Sequence, residues 1–437
     1  VFLTLPFHKY SFGLAFIILV FSPALLGAQV NMSFDGLART QVQYLTARIP
    51  GLTAGNSQDS TLHYRTSSEI PLLETLERLR QNLVNLPALQ DAAYELYTNG
   101  TDTTVRWSIT ESRTLFPVVN LGGIKGNFFY QVGFRDSHWR GLGQELAANY
   151  QNNDGEHNFY FSLRNAAYRG SRWGYGLEFR RYAALEPLSF PEGPVTYRYA
   201  NLSIGFDLSY TFRPRHRLTL GISTFTEDFL KRTESSPGPD QLRQQKGLLR
   251  FHHQVNRLDY HGPRLSGTDH QTIGQAVFNP GGQPAFLIGW HDFRWFQLIG
   301  QRGNLATRLR SGLSSNIDSP FAPFVLDSQI NIRGSGNRID RGTAQLLLNL
   351  EYRHVVWSDK DNRFSAQLVG FSDLGTWRKP GGDFRDLIEG ENIRHFVGAG
   401  IRLISHQSND TVIRVDYGKD ILSGNQRGIV VGLGQYF

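Results

Sequence analysis

The 437-residue chain contains no cysteine. That absence excludes a disulfide framework, Cys-ligated zinc, iron–sulfur clusters, thiol catalysis and a lipid-modified cysteine anchor together. After residue 30 no window approaches about 18 consecutive apolar residues, so no later helix is expected to span a membrane. A basic block is missing as well. The formal net charge is +7, but the 45 Lys and Arg are dispersed among 38 acids and form no patch for nucleic acid. No G-x-S-x-G elbow, H-E-x-x-H or P-loop occurs, and Gly398-Ala399-Gly400 lacks the rest of a dinucleotide fingerprint. His252-His253, if in a strand, lie on opposite faces and cannot chelate together. No catalytic residue, metal ligand or cofactor is therefore assigned, and the chain is not read as an enzyme.

Aromatic residues, by contrast, make up 13% of a chain whose mean hydropathy is −0.34. That combination is too polar for a helical membrane protein and too aromatic for a disordered chain. Residues 1–28 read as a secretory signal: His8 and Lys9 precede an almost wholly apolar stretch over 12–26, broken by Ser22-Pro23, with cleavage expected after Ala28. An uncleaved anchor is the alternative, but the stretch is shorter than the roughly 20 residues a spanning helix needs.

Residues 29–113 have mixed character. Val42, Leu45 and Ile49 fall at helical spacing, as do Leu73, Leu76, Leu79 and Leu83. Segments 30–34, 92–97 and 103–109 read as strands, the last two joined by an Asn99-Gly100 hairpin turn. The order β-α-α-β-β predicts a small three-stranded sheet with both helices on one face.

From about Gly126 the pattern changes to period two. Leu202, Ile204, Phe206, Leu208, Tyr210 and Phe212 share one face, with Asn201, Ser203, Gly205, Asp207, Ser209 and Thr211 on the other. The same alternation recurs over 345–353 and 411–418, where charges keep to the face opposite the apolar one. A bilayer cannot satisfy open sheet edges, so such strands must close into a barrel. Roughly 310 residues at roughly 20 per strand and connection give about sixteen strands. A soluble β-sandwich also alternates. The secretory signal, the aromatics and the polar second face favour a mainly β, transmembrane antiparallel barrel over 114–437, preceded by one small α+β domain.

Several strings resemble the BamA, TamA and FhaC superfamily of bacterial outer-membrane barrels, the bacterial surface antigen family. They are Ile332-Arg333-Gly334, then Gly342, then Leu348-Asn349-Leu350-Glu351-Tyr352-Arg353; Phe371-Ser372-Asp373-Leu374-Gly375; Gly398-Ala399-Gly400-Ile401-Arg402; and Arg414-Val415-Asp416-Tyr417-Gly418. Their order and spacing, with the terminal Phe437, carry the likeness. The β-α-α-β-β unit is similar to a polypeptide-transport-associated (POTRA) domain, and the stretch from Val132-Gly133-Phe134 to Gly141-Leu142-Gly143 resembles the first barrel hairpin. Ser335 departs from the aromatic usual after the Arg-Gly pair, which implies a looser loop tip, and Gln435 departs from the apolar residue usual two before the end.

Alternation puts Glu351, Phe371 and Asp373 on the lumen face. A long loop, 327–344, folding inward would bring Arg333 to both carboxylates, and Gly334 and Gly336 would allow a tight tip. Solvated channel residues are the alternative reading. The resemblance gives Arg333 a loop-anchoring role, with Asp373 as first partner and Glu351 as second. It also implies a seam between residues 128–134, beginning at Phe128, and 428–437, with Gly432, Gly434 and Phe437 on the last strand. The implied function is outer-membrane protein assembly or polypeptide translocation through a laterally opening barrel whose periplasmic domain docks the client. A passive porin or structural barrel is the alternative. Implied partners are outer-membrane lipid and lipopolysaccharide, an unfolded or secreted client polypeptide, and periplasmic or lipoprotein partners, with no nucleic acid.

Overall fold

A computed structural model describes residues 29–437 except 55–61, 66–70, 100–101, 125–126, 154, 191–192, 233–237, 282–283, 320–321, 327–330, 336–339, 360–362, 407–410 and 425. The expected signal, Gly100 of the hairpin turn and Gly336 of the loop tip lie outside the described residues.

The small domain is built from β1 (Gln29–Asp35), α1 (Val42–Arg48), β2 (Leu52–Ala54), β3 (Leu62–Arg65), α2 (Leu72–Val84), β4 (Leu89–Asn99) and β5 (Asp102–Glu111). Five described strands run in the order β2-β3-β1-β5-β4, with β1 parallel to β5 and the other pairs antiparallel. The sheet is thus wider than the three strands expected. The added β2 and β3 are three and four residues long, too short to show a period of two. Leu76, Leu79 and Leu83 of α2 close the core over Met32, Val105 and Trp107, whereas Leu73 of the same predicted face is exposed.

Among the described residues, sixteen antiparallel strands close into a barrel. They are β6 (Leu115–Ile124), β7 (Asn127–Trp139), β8 (Gln144–Asn153), β9 (Glu156–Asn165), β10 (Trp173–Phe190), β11 (Gly193–Arg213), β12 (His216–Lys231), β13 (Gln241–His261), β14 (Arg264–Phe278), β15 (Phe286–Ile299) and β16 (Gly303–Ser314), then, after an inserted loop, β19 (Ala344–Ser358), β20 (Phe364–Arg378), β21 (Ile393–Ser405), β22 (Thr411–Asp420) and β23 (Arg427–Leu433). The loop carries its own short hairpin, β17 (Phe324–Leu326) with β18 (Asp340–Gly342). The mainly β class and the strand number are those expected from the sequence.

Leu202, Ile204, Phe206, Leu208 and Phe212 are all exposed on the barrel wall, as are Leu346, Leu350, Tyr352, Ile413, Val415 and Tyr417. Their neighbours Asn349, Glu351, Arg353 and Asp416 are buried. A barrel that turns its apolar side chains outward and encloses its charges is built for lipid, not water. Spanning needs about 9–11 residues per strand. Strands β10 to β13 run to 18, 21, 16 and 21 residues, so one side of the wall rises well beyond the bilayer at the end remote from the small domain. A local cluster of Leu188, Val195, Tyr197 and Phe229 stabilises that extension.

Hydrogen bonds among the described residues dock the small domain on the barrel rim at two places. At the β7–β8 turn, the backbone N–H of Gln41 donates to the Gly141 carbonyl at 3.0 Å, and His138 hydrogen-bonds the Thr40 hydroxyl at 3.1 Å. Tyr44 packs edge-on against His138, with ring centroids 4.6 Å apart. Gly141, at φ +72°, would place a Cβ 1.9 Å from the Arg39 carbonyl oxygen, so only glycine permits this approach. At the β13–β14 turn, Asn85 donates to Asp259 at 3.0 Å and accepts the Tyr260 N–H at 3.1 Å. The stretch read as the first barrel hairpin is therefore the second strand and the docking turn after it.

Glu111, beyond the membrane-spanning strands, fixes the approach to the first docking point by accepting the backbone N–H groups of Thr40 at 2.7 Å and of Arg39 at 3.0 Å. Burial pushes its carboxyl up, but the hydrogen bonds from Thr40, Arg39 and Ala38 outweigh burial and hold it below the usual carboxylate range. A carboxyl depressed in the folded state contributes its stability above the unfolded value of about 4.3, and loses it as pH falls through the lower folded value. Glu111→Gln should therefore flatten the acid limb of small-domain unfolding, followed by fluorescence of the buried Trp107. Retention of the wild-type acid limb would remove Glu111 from that role.

Candidate functional site

The loop between β16 and β19 folds into the barrel and places the Arg333 side chain at zero exposure. Its Nε donates to Asp373 Oδ2 at 2.9 Å and its Nη2 to Asp373 Oδ1 at 2.9 Å, a bidentate pair. Its Nη1 donates to Glu351 Oε2, and its own backbone N–H donates to Asp373 Oδ2 at 3.0 Å. Phe371 lies on one side of the guanidinium, 3.7 Å from Cζ to ring centroid, and Tyr436 also meets it, at 4.3 Å. Arg333, Glu351, Phe371 and Asp373 are thus brought together, each acid reaching the lumen by the alternation of its strand.

Further residues complete the network. Asn349 bridges the Asn331 carbonyl at 2.8 Å and Asp373 at 2.9 Å, tying the loop backbone to the same carboxylate. Arg353 Nε donates to Glu351 at 2.5 Å, and Arg402 Nη1 donates to Asp416 at 2.7 Å. Lumen parity identifies Arg353, Arg402 and Asp416 as inward-facing. It does not say which charges meet, because that depends on the stagger between strands.

Glycines set the fit of the tip. Gly334 has φ +92°, and a Cβ there would lie 2.6 Å from the Gly418 carbonyl oxygen. A Cβ at Gly418 would lie 2.3 Å from the Arg333 carbonyl oxygen, and one at Gly428 would lie 2.9 Å from that of Gly334. The loop backbone therefore rests directly on β22 and β23. Ser335, which leaves the tip without an aromatic of its own, turns its hydroxyl back to the Ile332 carbonyl at 3.0 Å.

The seam differs from the one expected. The last strand, β23, adjoins β6, and Val431 with Leu121 is the one registered pair between them among the described residues. Seven pairs join β22 to β23 and ten join β6 to β7. Phe128 belongs to β7, where its backbone pairs with Gly123, so it is one strand away from the seam. The β6 strand escapes a period-two reading because Pro117 and Gly122-Gly123 interrupt it. Gly432 does lie at the seam: a Cβ there would sit 3.0 Å from Asn120 Oδ1 of β6.

Gly434 ends the strand with φ +88° and donates its N–H to the Val412 carbonyl at 2.7 Å. The last three residues then leave the sheet for the lumen. Gln435 accepts from Arg402 Nε at 3.3 Å through its side chain and from Arg414 Nη1 at 3.0 Å through its carbonyl. Phe437 packs against Phe296, with centroids 6.5 Å apart, and its backbone oxygen accepts from Arg353 at 3.2 Å. Phe437 is thus a lumen residue beyond the last strand rather than on it, because Gly434 turns the chain inward before it. The departure at Gln435 has the same origin: its side chain meets arginine rather than lipid.

No protein-family model and no curated protein matches the sequence. Solved structures do match. BamA from Haemophilus ducreyi lacking POTRA domains 1–3 is 15% identical, with a TM-score of 0.53 over 92% of this chain and 83% of that one. CdiB from Acinetobacter baumannii is 12% identical, with a TM-score of 0.58 over 93% and 74%, and CdiB from Escherichia coli 11% identical, with 0.58 over 92% and 75%. The fold is that of the BamA and CdiB barrels. The likeness first read from the loop and strand strings therefore extends to the architecture of nearly the whole described chain.

Removing one partner from a buried ion pair costs about 3–5 kcal/mol, because the other charge is left unpaired. Arg333→Ala and Asp373→Ala should each lower barrel stability by that order, read as a lower temperature for loss of the compact, heat-resistant gel band. Gly334→Ala should expose the loop to protease without removing any charge. A wild-type melting temperature in both charge variants would show that the pair does not hold the loop.

Proposed function

We propose that the chain is an outer-membrane barrel that assembles or translocates polypeptide by opening between β6 and β23, with its small domain on the periplasmic side receiving the client. The observation that carries this reading is the seam, where among the described residues one registered pair stands against seven and ten on the flanking ladders. Unpaired N–H and C=O groups on two facing edges are a template for an incoming strand, which satisfies them by addition to the sheet. Gly432 thins the closing strand, and Gly434 diverts its end from the ladder.

Arg333 in this reading is the anchor of the inward loop. It holds the loop against β19, β20 and the last two strands, β22 and β23, so the lumen keeps its shape while the seam parts. The signal-like segment and the apolar exterior support the outer membrane as the location, with lipid and lipopolysaccharide around the wall. A passive porin fits less well, because the loop around Arg333 and the tail both occupy the lumen.

Registered antiparallel partners have Cα atoms about 4.5–5.5 Å apart, within the range a disulfide bridges. Leu121→Cys with Val431→Cys, in a background without other cysteines, should therefore crosslink the seam. Client assembly or secretion in cells is expected to stop on oxidation and to recover on reduction. Unchanged client handling by the fully crosslinked protein would sink lateral opening, and a steady, client-independent conductance in single-channel recording would favour the porin.

A further inference from the structure

A chamber of about 1180 Å³ lies between the small domain and the mouth of the barrel. Its walls include Tyr44 and Arg48 of α1, the membrane-edge ends of several barrel strands, and, at the seam, Asn120 of β6 with Leu433 and Gly434. Six arginines line it against two carboxylates. Four of the six have carboxylate partners. Arg78 pairs with Glu74 at 2.6 Å and Arg215 with Asp259 at 3.7 Å, while Arg135 and Arg164 share Glu145, the latter at 3.1 Å.

The remaining two, Arg48 and Arg217, have no ion pair among the described residues, and in each the Nε is buried without a hydrogen-bond partner. They come from opposite walls. Arg48 ends α1, and Arg217 points inward from β12, paired across the ladder with Gln254. Two half-buried arginines, each with a buried and unmet Nε donor, are costly unless an acceptor enters the chamber to meet them.

We propose that this chamber binds an acidic segment of the polypeptide client, with Arg48 and Arg217 taking its Asp or Glu carboxylates. This rests on the client-handling reading above and names the chemistry of the client. The chamber exceeds the roughly 300–1,000 Å³ of a small-molecule site, which suits a stretch of chain. Its contact with Asn120 and Gly434 would hold that stretch beside the edge it is to pair with. Guanidinium and carboxylate match in bidentate geometry, so carboxylate-bearing segments are selected over basic or neutral ones.

The test uses the full chain purified in detergent and short fluorescent peptides of alternating Glu-Gly, Lys-Gly and Ser-Gly, with binding read by anisotropy. The Glu-Gly peptide should bind and the other two should not. Arg48→Gln and Arg217→Gln should each weaken binding roughly tenfold, as the loss of one charge-assisted bond implies, and Arg217→Lys should retain most of it. A heat-resistant gel band in each variant establishes that the barrel is folded. Equal binding of the three peptides, an unchanged affinity in both Gln variants, or displacement by equimolar inorganic phosphate would overturn the proposal. The seam crosslink is scored separately by client assembly, so charge-blind binding with a seam-dependent assembly defeats this site alone. Selective binding with seam-independent assembly defeats lateral opening alone.

Discussion

A fully buried guanidinium is the constraint around which this barrel is arranged. Arg333 cannot keep its charge inside the lumen unless fixed acceptors replace the water it loses, and Asp373, Glu351 and two aromatic faces supply them. These groups come from three parts of the chain: β19, β20 and the tail. Satisfying the one charge therefore fixes β19 against β20, draws the loop backbone onto β22 and β23, and gives the tail a place to lodge. The carboxylates in turn have further partners in Arg353, Arg402 and Asn349, so the network is shared rather than a single pair. Such coupling makes the loop, the strand pair and the tail one unit, in which a change at any member is felt by the others.

Glycine does complementary work where backbones meet. Gly334, Gly418 and Gly428 bring three chain segments into direct contact in the lumen, and Gly141 does the same between barrel turn and small domain. In both places the missing side chain is the means of attachment. The small domain is thereby held at two rim positions six strands apart, one at β7–β8 and one at β13–β14, so that it lies across the mouth rather than beside it.

The sequence made the barrel legible because a lipid-facing strand has a binary pattern: every second residue meets hydrocarbon and its neighbours do not. That pattern also located Glu351, Phe371 and Asp373 on the inside. Where the pattern is interrupted or too brief, reading failed. Pro117 and Gly122-Gly123 hid β6, and with it the true edge of the seam, while β2 and β3 span no more than two periods. The inward tail depends on the sign of one dihedral angle at Gly434, which no side-chain pattern reports. The matching of Arg402 to Asp416 and Arg353 to Glu351 depends on strand stagger, a property of the closed sheet rather than of any one segment. The small domain's helices were legible from their leucines, yet Leu73 turned outward because the buried stripe of α2 instead includes Thr75.

The tall wall of β10 to β13 has a mechanical consequence. Among the described residues, eighteen registered pairs join β10 to β11 and sixteen join β11 to β12, against one at the seam. Bending stiffness in such a cylinder rises with the number of hydrogen bonds that must deform together. Thermal strain is therefore not shared evenly around the circumference. It concentrates at the junction of β6 and β23, while the wall centred nearly half-way round acts as a rigid spine. The ion pair between Glu186 on that spine and Arg341 of the inserted loop links the loop to the side of the barrel with the longest ladders.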